Sequence, residues 1–169
     1  MILVAILSGL SGLGIKIMYF CFAADRTLGK LAKWLRLLGF DTIFESDVSS
    51  NWFYEHLEET RILLTRIGKI RKQFGARRLV FIEADDLLEQ LAQVIHELAI
   101  TINDIRPFSR CLECNTPIIE IGKETVSGLV PDYIWETHDN FSLCRQCERI
   151  FWRGSHTERS MERIEQLFD

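Results

Sequence analysis

Four of the five cysteines fall in two equal spacings, Cys111-Leu-Glu-Cys114 and Cys144-Arg-Gln-Cys147. Two thiols three positions apart fit one tight turn, and two such turns complete a tetrahedral shell of four sulfurs around zinc. A full sulfur shell leaves no position for a substrate water, so the ion implied is structural. Residues 115–143 make a longer separation than such pairs usually have, which suggests a hairpin carrying Tyr133–Trp135 between the knuckles. Two disulfides are the alternative. It is weaker, because Cys21 lies in an expected core strand and nothing else points to an oxidising compartment. A redox CxxC is weaker still, since neither pair opens a helix after a core strand. A reducing, cytoplasmic setting is therefore expected.

Acidic side chains form the second group with chemical capacity. Asp25, Glu45, Asp47, Asp85 and Asp86 each end or follow an expected strand. In an open parallel sheet, ligands bind beyond the carboxyl ends of the strands, so the fold brings these residues to one edge. Hard oxygen donors gathered there suit Mg²⁺ or Mn²⁺. Such an ion activates water and stabilises a phosphodiester in transition. Helix capping is an equally good explanation of Asp25, Asp85 and Asp86, because Asp is a favoured N-cap.

Basic residues lie close by in sequence. Lys30, Lys33 and Arg36 fall on the side of the first helix away from its apolar stripe. From Arg66 to Arg78 there are six basic residues (Arg66, Lys69, Arg71, Lys72, Arg77, Arg78) and no acidic one. A run of this kind beside carboxylates fits the phosphates of a nucleic-acid strand, although ordinary solvated charge accounts for each residue singly. Net charge is −4 over 169 residues, so any such surface is local rather than global. No small-molecule cofactor is indicated.

The elements that position these groups alternate. Ile17–Ala24 is a continuous apolar strand. Thr27–Leu38 is a helix with Leu28, Leu31, Ala32, Leu35 and Leu38 on one face, closed by Gly39. Asp41–Glu45, Arg61–Thr65 and Leu79–Ala84 follow as strands, with helices over Trp52–Glu59 and from Asp86 to Leu98, and a basic helix or loop before Leu79. Strands alternating with helices pair in parallel, so the core is α/β with helices on both faces. The apolar share of 47% agrees with a folded chain. A boundary near Asn103–Pro107 gives a domain over 18–104 and a zinc ribbon with a C-terminal helix over 105–169.

Residues 1–17 are an apolar extension, with Lys16 as the one charge among the first 24 residues. No basic segment precedes the apolar run, as a signal peptide requires. Lys16 with Gly9, Gly12 and Gly14 interrupts the roughly 20 apolar residues of a membrane span. A start at Met18 and a chain not inserted in a membrane are expected. The four histidines add no ligand: His56 and His96 fall on helix faces, and His138 and His156 flank an already complete sulfur shell.

The segment Ala24-Asp-Arg-Thr-Leu-Gly-Lys-Leu-Ala-Lys-Trp-Leu-Arg-Leu-Leu-Gly-Phe-Asp41 resembles the opening of the Mut-seven C-terminal RNase family, a PIN-like nuclease domain followed by a zinc ribbon. Arg61-Ile-Leu-Leu-Thr-Arg66 is similar to that family's third-strand motif. Arg106-Pro-Phe-Ser-Arg-Cys-Leu-Glu-Cys-Asn115 and Phe151-Trp-Arg-Gly-Ser-His156 resemble the two ends of its ribbon. The resemblance runs from about Met18 to the C-terminus. It implies a PIN-like parallel sheet, divalent-metal phosphodiester chemistry at Asp25, Asp47, Asp85 and Asp86, and RNA as substrate. One position departs from the pattern: where the family carries an aspartate after Leu-Thr-Arg, this chain has Ile67. Isoleucine offers no oxygen to a metal ion. Two functions follow, a metal-dependent ribonuclease of reduced activity or a silent RNA-binding module using the basic residues and the ribbon.

Overall fold

The computed structural model describes residues 20–45, 52–55, 57–58, 60–74 and 78–168. The expected N-terminal extension, Asp47, His56 and Arg77 lie outside that set, as does the His156 side chain.

Four parallel strands form the main sheet: β1 (Cys21–Ala24), β2 (Asp41–Phe44), β3 (Ile62–Thr65) and β4 (Leu79–Phe81), in the order β2-β1-β3-β4. The connections carry α1 (Gly29–Leu37), α2 (Trp52–Glu55) and α3 (Gly68–Phe74), and α4 (Leu87–Glu97) follows the last strand. Strand alternation divides the apolar residues between two cores. Phe22, Ala24, Ile62, Leu64 and Val80 pack with Leu31 and Leu35 of α1 and Leu91 and Val94 of α4. Ala23 and Leu63 face the other way, against Tyr54 of α2 and Ile70 of α3. The expected α/β sheet with helices on both faces is the fold observed. Each fully buried Leu or Phe contributes about 1.5–3 kcal/mol.

Several boundaries move for identifiable reasons. The first helix starts at Gly29 rather than Thr27, because the Thr27 N–H and hydroxyl both donate to Asp25 (2.8 and 2.5 Å). The fourth strand ends at Phe81. Its last ladder bond runs from Ile82 N–H to the Thr65 carbonyl (2.8 Å). Asp86 caps the fourth helix, accepting from the N–H groups of Leu88 and Glu89 (2.8 and 3.3 Å).

The C-terminal part holds a three-stranded antiparallel sheet, β5 (Ile119–Ile121), β6 (Phe141–Leu143) and β7 (Ile150–Trp152), in chain order. Residues 115–143 do pair as antiparallel strands, β5 with β6, and Tyr133–Trp135 lie in their long connection rather than in a strand. They belong to the short helix α5 (Asp132–Thr137), which starts after Pro131 and turns Ile134 into a small core of Val126, Val130 and Phe141. The last helix, α6 (Ser155–Glu165), leaves the ribbon and buries Ile164 in the first core of the α/β part.

Gly39 joins the two parts. Its φ of +93° is one that side chains rarely adopt, and a Cβ there would lie 2.2 Å from the Arg106 carbonyl oxygen. Gly39→Ala adds left-handed strain of about 1–2 kcal/mol to an overpacking cost of about 1–3 kcal/mol. The expected result is a urea midpoint well below that of the parent, with an unchanged m-value.

Candidate functional site: a sulfur cluster and a carboxylate row

The two cysteine knuckles are built alike. In each, the backbone N–H four residues after the first cysteine returns to that cysteine's carbonyl: Asn115 to Cys111 (3.0 Å) and Glu148 to Cys144 (2.8 Å). The cysteine N–H in turn reaches the carbonyl five residues on, at Thr116 and Arg149 (2.8 and 3.0 Å). Asn115 and Glu148 both take positive φ, 66° and 57°. Asn tolerates that conformation better than Glu does. These turns bring all four sulfurs within 4.8 Å of one another, with Cys111–Cys147 at 3.6 Å and Cys114–Cys144 at 3.3 Å. All five cysteines are free thiols, so the disulfide alternative fails.

A tetrahedral zinc with bonds of ~2.3 Å has sulfur–sulfur edges of ~3.8 Å, and the cluster fits a structural metal ion such as zinc. The electrostatics agree. The Thr116 hydroxyl pushes Cys114 down to about 6, whereas burial pushes the Cys111 thiol up. Four adjacent sulfurs cannot all ionise unless a cation neutralises them. His138, which flanks the cluster in sequence, is engaged elsewhere: its Nδ1 meets the Thr137 hydroxyl (2.8 Å) and the Ile134 carbonyl (3.2 Å).

Arg36 corrects the sequence reading. It was expected on the solvent side of the first helix as an RNA contact, yet it is 7% exposed. Its Nε donates to the Thr42 carbonyl (2.9 Å), and its Nη1 to the Leu112 and Glu113 carbonyls of the first knuckle (both 2.8 Å). Burial pushes its pKa down while the nearby Cys111 and Cys114 push it back up, and arginine stays charged under such a balance. Asn115 reinforces the joint, accepting from Thr42 N–H and donating to Asp41 (both 2.9 Å). Lys33 is paired with Glu113 at 2.7 Å. Of the three basic residues expected on that face, Lys30 is exposed and has no ion pair among the described residues.

The second site lies at the carboxyl edge of the sheet, between β1 and β3, where the strand order reverses. Ala24 pairs with Phe44 and Leu64, so the next position in each strand places Asp25, Glu45 and Thr65 in one row. Alternation puts that row on the α2–α3 face, above Ala23, Ile43 and Leu63. Asp25 is wholly buried and accepts four hydrogen bonds, from the Thr27 N–H and hydroxyl, the Thr65 hydroxyl (2.5 Å) and the Arg66 N–H (3.0 Å).

Glu45 was read from the sequence as one of five acidic residues gathered at the sheet edge, with oxygens suited to a divalent cation. It is 3% exposed, and its Oε2 accepts from the Tyr54 hydroxyl at 2.5 Å. Burial, then the Glu45 carboxylate, push the Tyr54 pKa upward, so the phenol keeps its proton and donates it. Glu45 Oε1 has no hydrogen-bond partner among the described residues. An unsatisfied buried acceptor costs about 1–3 kcal/mol, and more when charged.

Asp85 and Asp86 are engaged elsewhere. Asp86 caps the fourth helix. Asp85 is 90% exposed and forms an ion pair with the Arg66 guanidinium. Two local demands, a helix start and a neighbouring cation, engage these carboxylates instead. Among the described residues, the only cluster of three or more potential metal ligands is the four cysteines. Ile67 accepts at its carbonyl from the N–H groups of Ile70 and Arg71, its N–H donates to Thr65 Oγ1 (3.0 Å), and its side chain packs on the second core. Of the basic run, Lys69, Lys72 and Arg78 are exposed, and Arg71 lies 4.7 Å over the Phe81 ring.

The model of the Mut7-C RNAse domain matches residues 21–164. The chain belongs to that family. No curated protein matches it. The Mut7-C match spans both the carboxylate row and the sulfur cluster, so the α/β part and the ribbon are pieces of one family unit. Within this Mut7-C chain, Ile67 stands one hydroxyl away from Asp25, through Thr65. No helix among the described residues is long and apolar enough to cross a membrane.

Zinc content tests the sulfur cluster. Elemental analysis of protein purified without chelator should give one zinc per chain, and Cys144→Ser should release it and unfold the ribbon. Protons compete for thiolates, so the metal should be retained at neutral pH and lost on acidification.

Proposed function

We propose that this chain is a divalent-metal-dependent ribonuclease of the reducing cytoplasm, its activity lowered by Ile67. The observation that carries the reading is Asp25. It is a buried carboxylate at the reversal of strand order, held by four donors, at the place where open parallel sheets bind ligands. A bound Mg²⁺ or Mn²⁺ would supply Lewis-acid stabilisation of the phosphate and a more acidic water. The donor set fits such an ion: hard carboxylate oxygens, one of them without a hydrogen-bond partner.

The chain's own groups do the positioning. Thr65 and the Arg66 N–H hold Asp25 in one orientation, so no rotamer is lost when substrate arrives. Two of the four donors are hydroxyls, which can rotate to free an oxygen lone pair. Asp47 and Asp85 are the further candidates for oxygen ligands. Asp85 is exposed and able to leave Arg66, and the Arg66 guanidinium can then turn to a substrate phosphate. Arg66, Lys69, Arg71 and Lys72, with Lys30 on the first helix, offer charge to the RNA backbone. A silent RNA-binding module is the second reading, favoured by Ile67 and by the Arg66–Asp85 pair.

Cleavage of a mixed RNA pool with and without Mn²⁺ separates the two. The parent should cleave slowly and only with Mn²⁺, Asp25→Asn should abolish cleavage, and Ile67→Asp should raise it at least tenfold (about 1.4 kcal/mol). Aspartate is also a better helix N-cap than isoleucine, which offsets part of the lost packing. Background cleavage in all three proteins would leave the RNA-binding reading. The basic run is tested apart from cleavage. Replacing Lys69, Arg71, Lys72 and Arg78 with Gln should weaken RNA binding across sequences and flatten its salt dependence.

A further inference from the structure

We propose that Glu45 is a ligand of the divalent cation, occupying with Asp25 the site from which Ile67 has removed an oxygen. The inference deepens the metal-dependent reading above and rests on it.

The strand register and the state of the carboxylate meet at this residue. The strand register puts the Glu45 and Asp25 side chains on the same sheet face in neighbouring strands, at a strand spacing of ~4.8 Å. The Glu45 N–H donates to the Ala24 carbonyl (3.0 Å), which fixes the backbone at that level. Of the two Glu45 carboxylate oxygens, one takes the Tyr54 proton and the other takes nothing, although the residue is almost wholly buried. Two buried carboxylates side by side are unfavourable as anions unless a proton or a cation lies between them.

Among the described residues, the surrounding groups do not satisfy the bare oxygen. Tyr54 has one proton, already given to Oε2. The Thr27 and Thr65 hydroxyls are turned to Asp25. Arg26 lies near enough to influence Tyr54, yet gives Oε1 no hydrogen bond. A divalent cation would accept the lone pairs of Oε1 and of Asp25 together and cancel their repulsion. Tyr54 then acts as a positioning residue, holding Oε2 so that Oε1 presents to the ion.

The test uses the full-length, zinc-loaded protein and Mn²⁺ alone, read by electron paramagnetic resonance and by thermal melting, with zinc content checked throughout. The parent should bind Mn²⁺ at one site beyond the sulfur cluster and melt at a higher temperature as Mn²⁺ is added. Glu45→Gln should melt higher than the parent without Mn²⁺, because an unpaired anion is gone. It should also bind Mn²⁺ at least tenfold more weakly and lose the Mn²⁺-dependent rise. Should Glu45→Gln not fold, Glu45→Asp carries the test: its shorter carboxylate should weaken Mn²⁺ at least tenfold. Mn²⁺ affinity equal to the parent's in the folded variant overturns the assignment, and so does a parent that does not respond to Mn²⁺, which would mean a shared proton. RNA cleavage is scored separately. Cleavage that persists with unchanged Mn²⁺ affinity in Glu45→Gln removes Glu45 and keeps the nuclease. Mn²⁺ binding lost in Glu45→Gln, in a protein that never cleaves RNA, keeps the cation site and removes the nuclease.

Discussion

The guanidinium of Arg36 ties the two halves of the molecule. One side chain donates to a carbonyl of the second strand and to two carbonyls of the first cysteine knuckle. Those knuckle carbonyls belong to a tight turn and have no regular ladder to satisfy them, so an internal donor with several N–H groups is needed there. Lysine would not replace it, since three divergent acceptors match a planar fork and not a point charge. A site of four thiolates and one divalent ion also carries net negative charge, and a buried cation beside it is electrostatically favourable. The ribbon's own core is small, centred on Val126, Val130, Ile134 and Phe141. Apolar burial there is slight, so the Arg36 joint and a sulfur cluster that fits a structural metal ion supplement it.

The same economy governs the sheet edge. Asp25 is satisfied by groups from its own turn and from the third strand, which makes it part of the scaffold as well as a candidate for chemistry. Asp86 and Asp85 are held by a helix start and by Arg66. Glu45 contrasts with these, since its Oε1 is buried with no hydrogen-bond partner among the described residues. Ile67, next to this row, gives its side chain to the second core and offers no oxygen there.

Much of this was legible in the chain because it is local. The apolar stripe of the first helix, the short apolar strands and the two CxxC spacings each follow from periodicity or from turn geometry within a few residues. The capping role of Asp86 was legible for the same reason. What escaped is long-range. Charge at Arg36 reads as solvent exposure, and its burial depends on carbonyls more than seventy residues away in the chain. The pairing of Glu45 with Tyr54 needs the sheet register and the helix placement together. Tyr133–Trp135 carry aromatic residues that favour strands, and Pro131 with the small ribbon core makes them a helix instead.

The return of the last helix to the first core sets an order of events in the life of the chain. Ile164 is completely buried in the first core, and Met161, Leu167 and Phe168 pack against that core. During synthesis, the sheet and its helices leave the ribosome with that wall of the core still open. It closes only after the ribbon has passed and the cysteines have had the chance to take their metal. Contacts this distant in sequence form late and slow the completion of folding. If the sulfur cluster orders only with an ion bound, a chain lacking that ion would leave the last helix undocked and this part of the first core exposed.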